Sequence, residues 1–207
     1  MLNFLKKLKK RRGLIDQVPV QGYIEVIARD KDGKIKYYIG GPPPKRAEVK
    51  SGCEDGHNCS APPITSSMPA KAIDSFYWRK NVITNAGLAA IIRLVFAGLT
   101  ETKFGYLAIG TGTTAESVAD TALQAEIARK TATVSQTTTT VTGDTALLEA
   151  TFSKADGLTG SHNVTEAGIF NASTGGVLLA RKVFSAIPMN WDAGDSLTIR
   201  YYVQMTR

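Results

Sequence analysis

Residues 106–129 have the sequence YLAIGTGTTAESVADTALQAEIAR, and the rest of the chain is arranged around them. The apolar YLAI run predicts a buried strand, and the glycines and threonines that follow predict a tight turn. Asp120 is the expected N-cap of a short helical turn that ends at Glu126, where another strand begins. The stretch therefore predicts a connector that joins a helix and several strands into one domain.

The glycine-rich part of this stretch, GTGTT at residues 110–114, does not match a phosphate-binding loop. It lacks the lysine and spacing of a P-loop and the third glycine of the dinucleotide fingerprint. The nearby carboxylates of Glu116, Asp120 and Glu126 lack the spacing of a calcium loop. We expect Glu126 to pair with Arg129, and we expect Glu166 either to sit at a sheet edge or to be paired inside the protein.

Before the connector, the sequence predicts a hairpin and a helix. Alternating residues at 20–29 and 34–39 flank the turn DKDG at 30–33. A strand at 76–83 follows, and then Thr84 or Asn85 is the expected helix N-cap. The helix has apolar residues at helical spacing and is expected to end at Gly98 and to be buried on most of its surface, packed across a sheet. These residues are Leu88, Ile91, Ile92, Val95 and Phe96.

After the connector, the pattern is a series of short strands separated by turns. A threonine-rich run at 127–141 is followed by strands at 145–153, 164–170, 177–184 and 196–205. The predicted class is mainly β with one central α-helix, in an antiparallel β-sandwich-like domain. The predicted organisation is a basic amphipathic tail at 1–18 and a single β-rich domain at 19–207, interrupted by an extended Pro- and Gly-rich arm or loop at 40–75.

The positive charge is concentrated at the N-terminus. The net charge is +7, and the first twelve residues supply six basic side chains and no acid, so the rest carries 7 − 6 = +1. We therefore expect no specific nucleic acid partner. The leucines of the segment are spaced for an amphipathic helix that could lie on a membrane surface, bind acidic protein or nucleic acid, or be a frayed tail. The residues concerned are Leu2, Leu5, Lys6, Lys7, Leu8, Lys9, Lys10, Arg11 and Arg12.

No apolar stretch reaches the roughly 20 residues of a membrane span, and the tail does not match a signal peptide, so we expect synthesis in the cytoplasm. The arm contains Pro42, Pro43 and Pro44, which together with the tail are the candidate partner-binding residues. It also contains Cys53 and Cys59. Three interpretations stay open for these cysteines: a local disulfide, two free thiols, or a metal site with Asp55 and His57.

The sequence offers no catalytic constellation. His57 and His162 both fall in predicted loops, and Ser161 next to His162 lacks the strained turn of a nucleophile elbow. No enzymatic activity and no cofactor are expected. The aromatic residues, including Trp78 and Trp191, are interpreted as core and interface side chains, with a sugar-binding platform as an alternative.

Four phrases, in their order and spacing, resemble a group of small tailed-phage virion proteins known as tail, head-fibre or capsid-decoration proteins. They are NVITNAGL at 81–88, YLAIGTGTT at 106–114, DTAL at 120–123 with Glu126 and Arg129, and TEAGIFN at 165–171. The resemblance covers residues 76–205, and we expect the hairpin at 20–39 to belong with it. The tail and the arm fall outside.

The resemblance implies a non-enzymatic structural subunit found in the virion. The expected role is a capsid decoration or minor capsid protein that binds and stabilises neighbouring capsid subunits, with the major capsid protein as partner. A homo-oligomer is expected, with a trimer favoured at a capsid three-fold axis. The alternative is a tail, neck or fibre-attachment protein, and a carbohydrate-binding adhesin is a third hypothesis.

Overall fold

In the computed structural model, the described residues are 20–40, 80–96, 101–139 and 141–205. The N-terminal tail and the arm lie outside them. The same is true of every candidate partner-binding residue and of both cysteines, so the predictions made for these residues stay predictions.

The described part of the chain contains ten strands and one α-helix, α1. The strands are β1 (Val20–Arg29), β2 (Ile35–Gly40), β3 (Lys80–Ile83), β4 (Tyr106–Gly110), β5 (Glu126–Thr131), β6 (Thr133–Thr137), β7 (Thr145–Phe152), β8 (Ser161–Phe170), β9 (Leu178–Asn190) and β10 (Ser196–Met205). Helix α1 (Asn85–Val95) lies between β3 and β4. Two short 3₁₀ turns, Lys154–Asp156 and Trp191–Ala193, connect strands near the C-terminus.

All strand pairs are antiparallel, in the order β5-β4-β8-β9-β3-β1-β10-β7-β6, with β2 attached to β1. The sheet curls until it is nearly closed into a barrel or sandwich. The predicted class, mainly β with one helix, is therefore confirmed.

The core follows from the two-residue period of the strands, which sends alternate side chains to one face. Ile24, Val26 and Ala28 of β1 face inward. Their neighbours on β10 do the same, since Val26 pairs with Ile199 in the register of the two strands. Among the described residues, the largest fully buried side chains are Trp191, Tyr201, Phe152, Phe170, Ile24, Leu107, Ile109, Ile169, Leu178, Ile187, Met189 and Leu197.

The predicted hairpin is present as β1 and β2. Its turn is held by Asp30, whose Oδ1 accepts the backbone N–H of Asp32 at 3.0 Å and of Lys34 at 2.9 Å. Gly33 has φ of +78°, a conformation that favours glycine. Asp30 and Gly33, which predict the turn in the sequence, are thus also the residues that stabilise it in the structure.

Three strand predictions need correction, and the simplest concerns β8, which begins at Ser161 and not at 164. The threonine-rich run at 127–141 is not one strand, because the chain pairs with β4 up to Thr131 and with β7 from Thr133. Between them, buried Ala132 donates its N–H to Gly105 at 2.8 Å. Strand β9 is longer than the predicted 177–184, because it continues beside β8 through Pro188 to Asn190.

Candidate functional site

A deeply buried polar cluster joins β8, β9 and the loop at 111–125. Glu166 on β8 is fully buried, and Arg181 on β9 has a side chain that is only 3% exposed. The two form an ion pair at 2.8 Å. Arg181 also donates to Asp120 at 2.9 Å and to the carbonyl of Thr114 at 3.1 Å. The expectation that Glu166 is either at an edge or paired inside is resolved in favour of the pair.

The Glu166 carboxylate also holds the loop by accepting hydrogen bonds from backbone N–H groups of the loop. Its Oε1 accepts the N–H of Gly112 at 3.0 Å and of Ala125 at 2.8 Å, and its Oε2 accepts that of Gln124 at 3.1 Å. Glycine is required at 112 because a Cβ there would lie 2.4 Å from Glu166 Oε1. The GTGTT turn is therefore a structural feature that lets the loop approach a buried carboxylate.

Asp120 does not cap a helix, and the predicted helical turn at 120–126 is absent: residues 121–125 are irregular, and Glu126 already belongs to β5. Its Oδ2 accepts the backbone N–H of Ser117 at 2.9 Å as well as the Arg181 guanidinium. Burial disfavours the charged form of Asp120, but the bonds from Ser117 and Arg181 outweigh it and hold the pKa below its ordinary value.

A second ion pair fastens the same loop, since Glu116 bonds Lys182 and accepts the N–H of Val183 at 3.2 Å. Burial opposes the charge of Glu116, and the Lys182 interactions more than offset this effect and lower its pKa. The expected pair of Glu126 and Arg129 is also confirmed, at 2.6 Å. Glu116 and Lys182 thus hold the loop against β9, whereas Arg129 also donates to the carbonyls of Ala172 at 3.0 Å and Gly175 at 2.7 Å.

His162 lies in β8 and not in a loop, which corrects its predicted position. Its Nδ1 accepts the indole N–H of Trp191 at 3.1 Å. Ser161 and His162 are consecutive strand residues whose side chains point to opposite faces, so they do not form a nucleophile and base. A shallow polar cleft of about 320 Å³ lies here, lined by residues that include His162 and Lys36, and the Lys36 ammonium is paired with Asp195 at 2.6 Å.

Trp191 is fully buried, as is Tyr201, whose hydroxyl donates to the carbonyl of Ala167 at 2.7 Å. These two aromatic side chains are core residues, which agrees with the preferred interpretation. The sugar-platform hypothesis fails for Trp191 because a fully buried ring cannot stack on a ligand. Trp78 lies outside the described residues.

Helix α1 is anchored to β9 by its first turn. Of the two expected candidates, Thr84 is the N-cap, and its hydroxyl accepts the N–H of Gly87 at 2.9 Å. The Thr84 N–H donates to the carbonyl of Leu179 at 2.9 Å. Gly87 lies directly on Leu179, so that a Cβ at 87 would be 2.7 Å from the Leu179 Cα. The helix position is thus fixed by backbone contact.

The outer side of α1 is apolar and exposed, which corrects the prediction that most of the helix is buried. Only Gly87 and Ala90 are buried. Leu88, Ile92, Val95 and Phe96 are spaced for one helix face, which we call the apolar stripe. The exposed fractions are 55% for Ile92, 59% for Val95 and 77% for Phe96.

The charge nearest the stripe is neutralised within the chain. Arg93 is the one charged residue of α1, and it pairs with Glu101 at 2.8 Å. Glu101 also accepts from the amide of Asn171 at 2.7 Å, which ties this pair to the sheet. The sequence signal was an apolar pattern almost all round the helix, which is typical of burial and is also found where a partner covers one side.

Within the described ranges, no group of three or more His, Cys, Asp or Glu side chains is placed to hold a metal ion. In the same ranges, no helix is long and apolar enough to cross a membrane. Comparisons with protein-family models, with curated proteins and with solved structures found no match.

Proposed function

We propose that this protein is a structural component of a tailed-phage virion, most simply a capsid decoration or minor capsid protein that binds and stabilises neighbouring capsid subunits. The sequence phrases at 81–88, 106–114, 120–129 and 165–171 support the family. The structural observation that carries the proposal is the apolar stripe on α1, because an exposed apolar face of this kind marks a protein-binding surface.

The stripe suits a protein partner on energetic grounds. Burying an exposed Ile, Val or Phe side chain contributes about 1.5–3 kcal/mol each, so three or four partly exposed ones supply several kcal/mol. The Arg93–Glu101 pair at 2.8 Å leaves no unpaired charge on the helix that a partner would have to bury. The proposed partners are the major capsid protein and further copies of this chain, as a trimer where the site is a capsid three-fold axis.

The attachment of helix α1 to the sheet also fits a binding role for the apolar stripe. The N-cap of Thr84 and the contact of Gly87 with Leu179 hold α1 against the sheet. The loop at 111–125 contributes to this support, since the carbonyl of Val118 accepts the N–H of Asn85 at 2.9 Å. A rigid surface loses little conformational entropy on association, which favours affinity.

Ile92→Asp tests the role of the stripe. Because residue 92 is more than half exposed, we expect a loss of folding stability of no more than about 1 kcal/mol. Placing a carboxylate in an apolar contact is expected to weaken binding to phage particles at least about tenfold, because the charge loses its hydration. Co-sedimentation of the purified protein with particles that lack it measures this binding.

Met205→Asp is the matched control, since Met205 is 51% exposed and lies at the end of β10. It is expected to bind particles like the unaltered protein. Equal binding by Ile92→Asp and the unaltered protein would remove the stripe as the docking surface.

A further inference from the structure

The nearly closed sheet leaves free edges at three strands of the described chain, β2, β5 and β6. A free edge presents unpaired backbone N–H and C=O groups that can pair with another chain. Soluble proteins usually protect such edges with charges, proline, bulges or covering side chains. The three edges of this protein differ in this respect.

Strand β5 is protected by its charged side chains. Glu126, Arg129 and Lys130 all lie on this short strand. The Lys130 ammonium reaches across to the β7 side, where it donates to the carbonyl of Thr151 at 2.9 Å and to Asp156 at 2.5 Å. The register with β4 also shifts near its start, between Ile109 and Gly110.

Strand β2 is protected as well. Its pairing with β1 is interrupted by a register shift between Ala28 and Arg29, which bends the edge. Lys36 places a charge on the strand and is held by Asp195 at 2.6 Å. An incoming strand would have to displace or bury this pair.

Strand β6, with the sequence TVSQT, has none of these features. It carries no charge, no proline and no glycine, and four of its five residues are exposed. Its register with β7 is regular from Thr133 to Thr137. Within the described ranges it pairs with β7 alone. Among the residues that the structure describes, this edge is therefore open, regular and free of the groups that oppose strand addition.

We infer that β6 pairs antiparallel with β6 of a second copy across a two-fold axis at Ser135. The sequence is self-complementary in that register, because Thr133 faces Thr137 and Val134 faces Gln136 of the other copy. Thr–Thr pairs are favourable across strands, and no like charges meet. The contact would join β7 and β10 of both copies into one continuous sheet. This contact adds a link between copies to the proposed assembly role. It rests on that role, because the particle is where the copies meet.

This symmetry favours a second copy of the chain as the partner that pairs with β6. A two-fold contact uses the same surface on both partners, so each residue must tolerate its counterpart, and TVSQT meets this condition at every position. A pair of five-residue strands buries less surface area than the total of about 1,200 Å² in a stable interface. We therefore expect the isolated dimer to be weak. In a particle, the β6 contact would connect copies that the apolar stripe already holds close together, which raises their effective concentration.

The test is sedimentation velocity of the full chain from micromolar to millimolar concentration, with two variants at the two-fold axis. Ser135→Lys and Ser135→Glu each place like charges opposite one another, and we expect each to weaken self-association about tenfold or more. An equimolar mixture of the two places lysine opposite glutamate and is expected to restore the dimer. Thr159→Lys, at an exposed loop position, is the matched control and is expected to self-associate normally.

An unaltered chain that stays monomeric at millimolar concentration would overturn the inference. So would self-association unaffected by both Ser135 variants, which would point to another occupant or another contact. The Ile92→Asp variant separates this result from the assembly role: it is expected to keep the β6 dimer while losing particle binding. Particle binding that persists without any β6 dimer would refute the pairing and leave the proposed function standing.

Discussion

Replacing Arg181 with methionine is expected to lower the free energy of unfolding by about 3–5 kcal/mol, the usual cost of removing one partner of a buried ion pair. Methionine keeps much of the volume but leaves the fully buried Glu166 without its cation. It also removes the bonds to Asp120 and to the Thr114 carbonyl. The loop at 111–125 should become more accessible to hydrogen exchange. Chemical denaturation and amide exchange measure the two effects.

Two further variants test whether the destabilisation by Arg181→Met comes from the loss of the buried ion pair. Arg93→Met removes a more exposed pair, with the arginine side chain 38% exposed, and should cost no more than about 1 kcal/mol. Adding Glu166→Gln to Arg181→Met removes the uncompensated charge, so the double variant should be more stable than the sum of the single effects predicts. Equal losses for Arg181→Met and Arg93→Met would show that the buried network does not hold the loop.

Gly87→Ala is expected to destabilise the protein by about 1–3 kcal/mol, the range of an overpacked contact. Helix propensity alone predicts the opposite sign, because alanine in a helix is better than glycine by roughly 1 kcal/mol. The steric effect should win because the new Cβ would meet the backbone of Leu179 at 2.7 Å, and a backbone cannot move aside as a flexible side chain can. Thermal and chemical unfolding give the sign directly.

Gly105→Ala is the control for this substitution. The position is also buried, but a Cβ there meets no atom within 4 Å, and its effect should stay within about 0.5 kcal/mol. If Gly87→Ala stabilises the protein, α1 does not pack on β9 through this glycine. The apolar stripe would then not be held rigidly against the sheet.

Several local features of this fold could be predicted from the sequence. The predicted limits of β1 and β10 match the strands, because alternation and flanking turn residues act over a few positions. Side-chain chemistry alone likewise predicts an N-cap at Thr84 or Asn85, and the structure selects Thr84. The connector role of residues 106–129 rested on the order of elements, and the structure adds the buried carboxylate that fixes its loop.

The remaining features depend on which strands lie side by side. Arg181 meets Glu166 and Asp120 only because β9 pairs with β8 and the loop folds over both strands. Without that pairing, the sequence around Asp120 indicates a helix cap as its simplest role. The exposure of α1 could not be predicted for a similar reason, since an apolar helix gives the same pattern whether its own sheet or another chain covers it.

The proposed function places this protein in the particles of a tailed phage, and immunogold labelling of intact particles tests that proposal directly. Regularly distributed label over the capsid surface is the result we predict for a decoration or minor capsid protein. Label confined to the tail, the neck or the fibre attachment would instead support the alternative structural role. Particles that carry no label, with the protein absent from their mass spectrum, would contradict the proposal that it is a structural component of the virion.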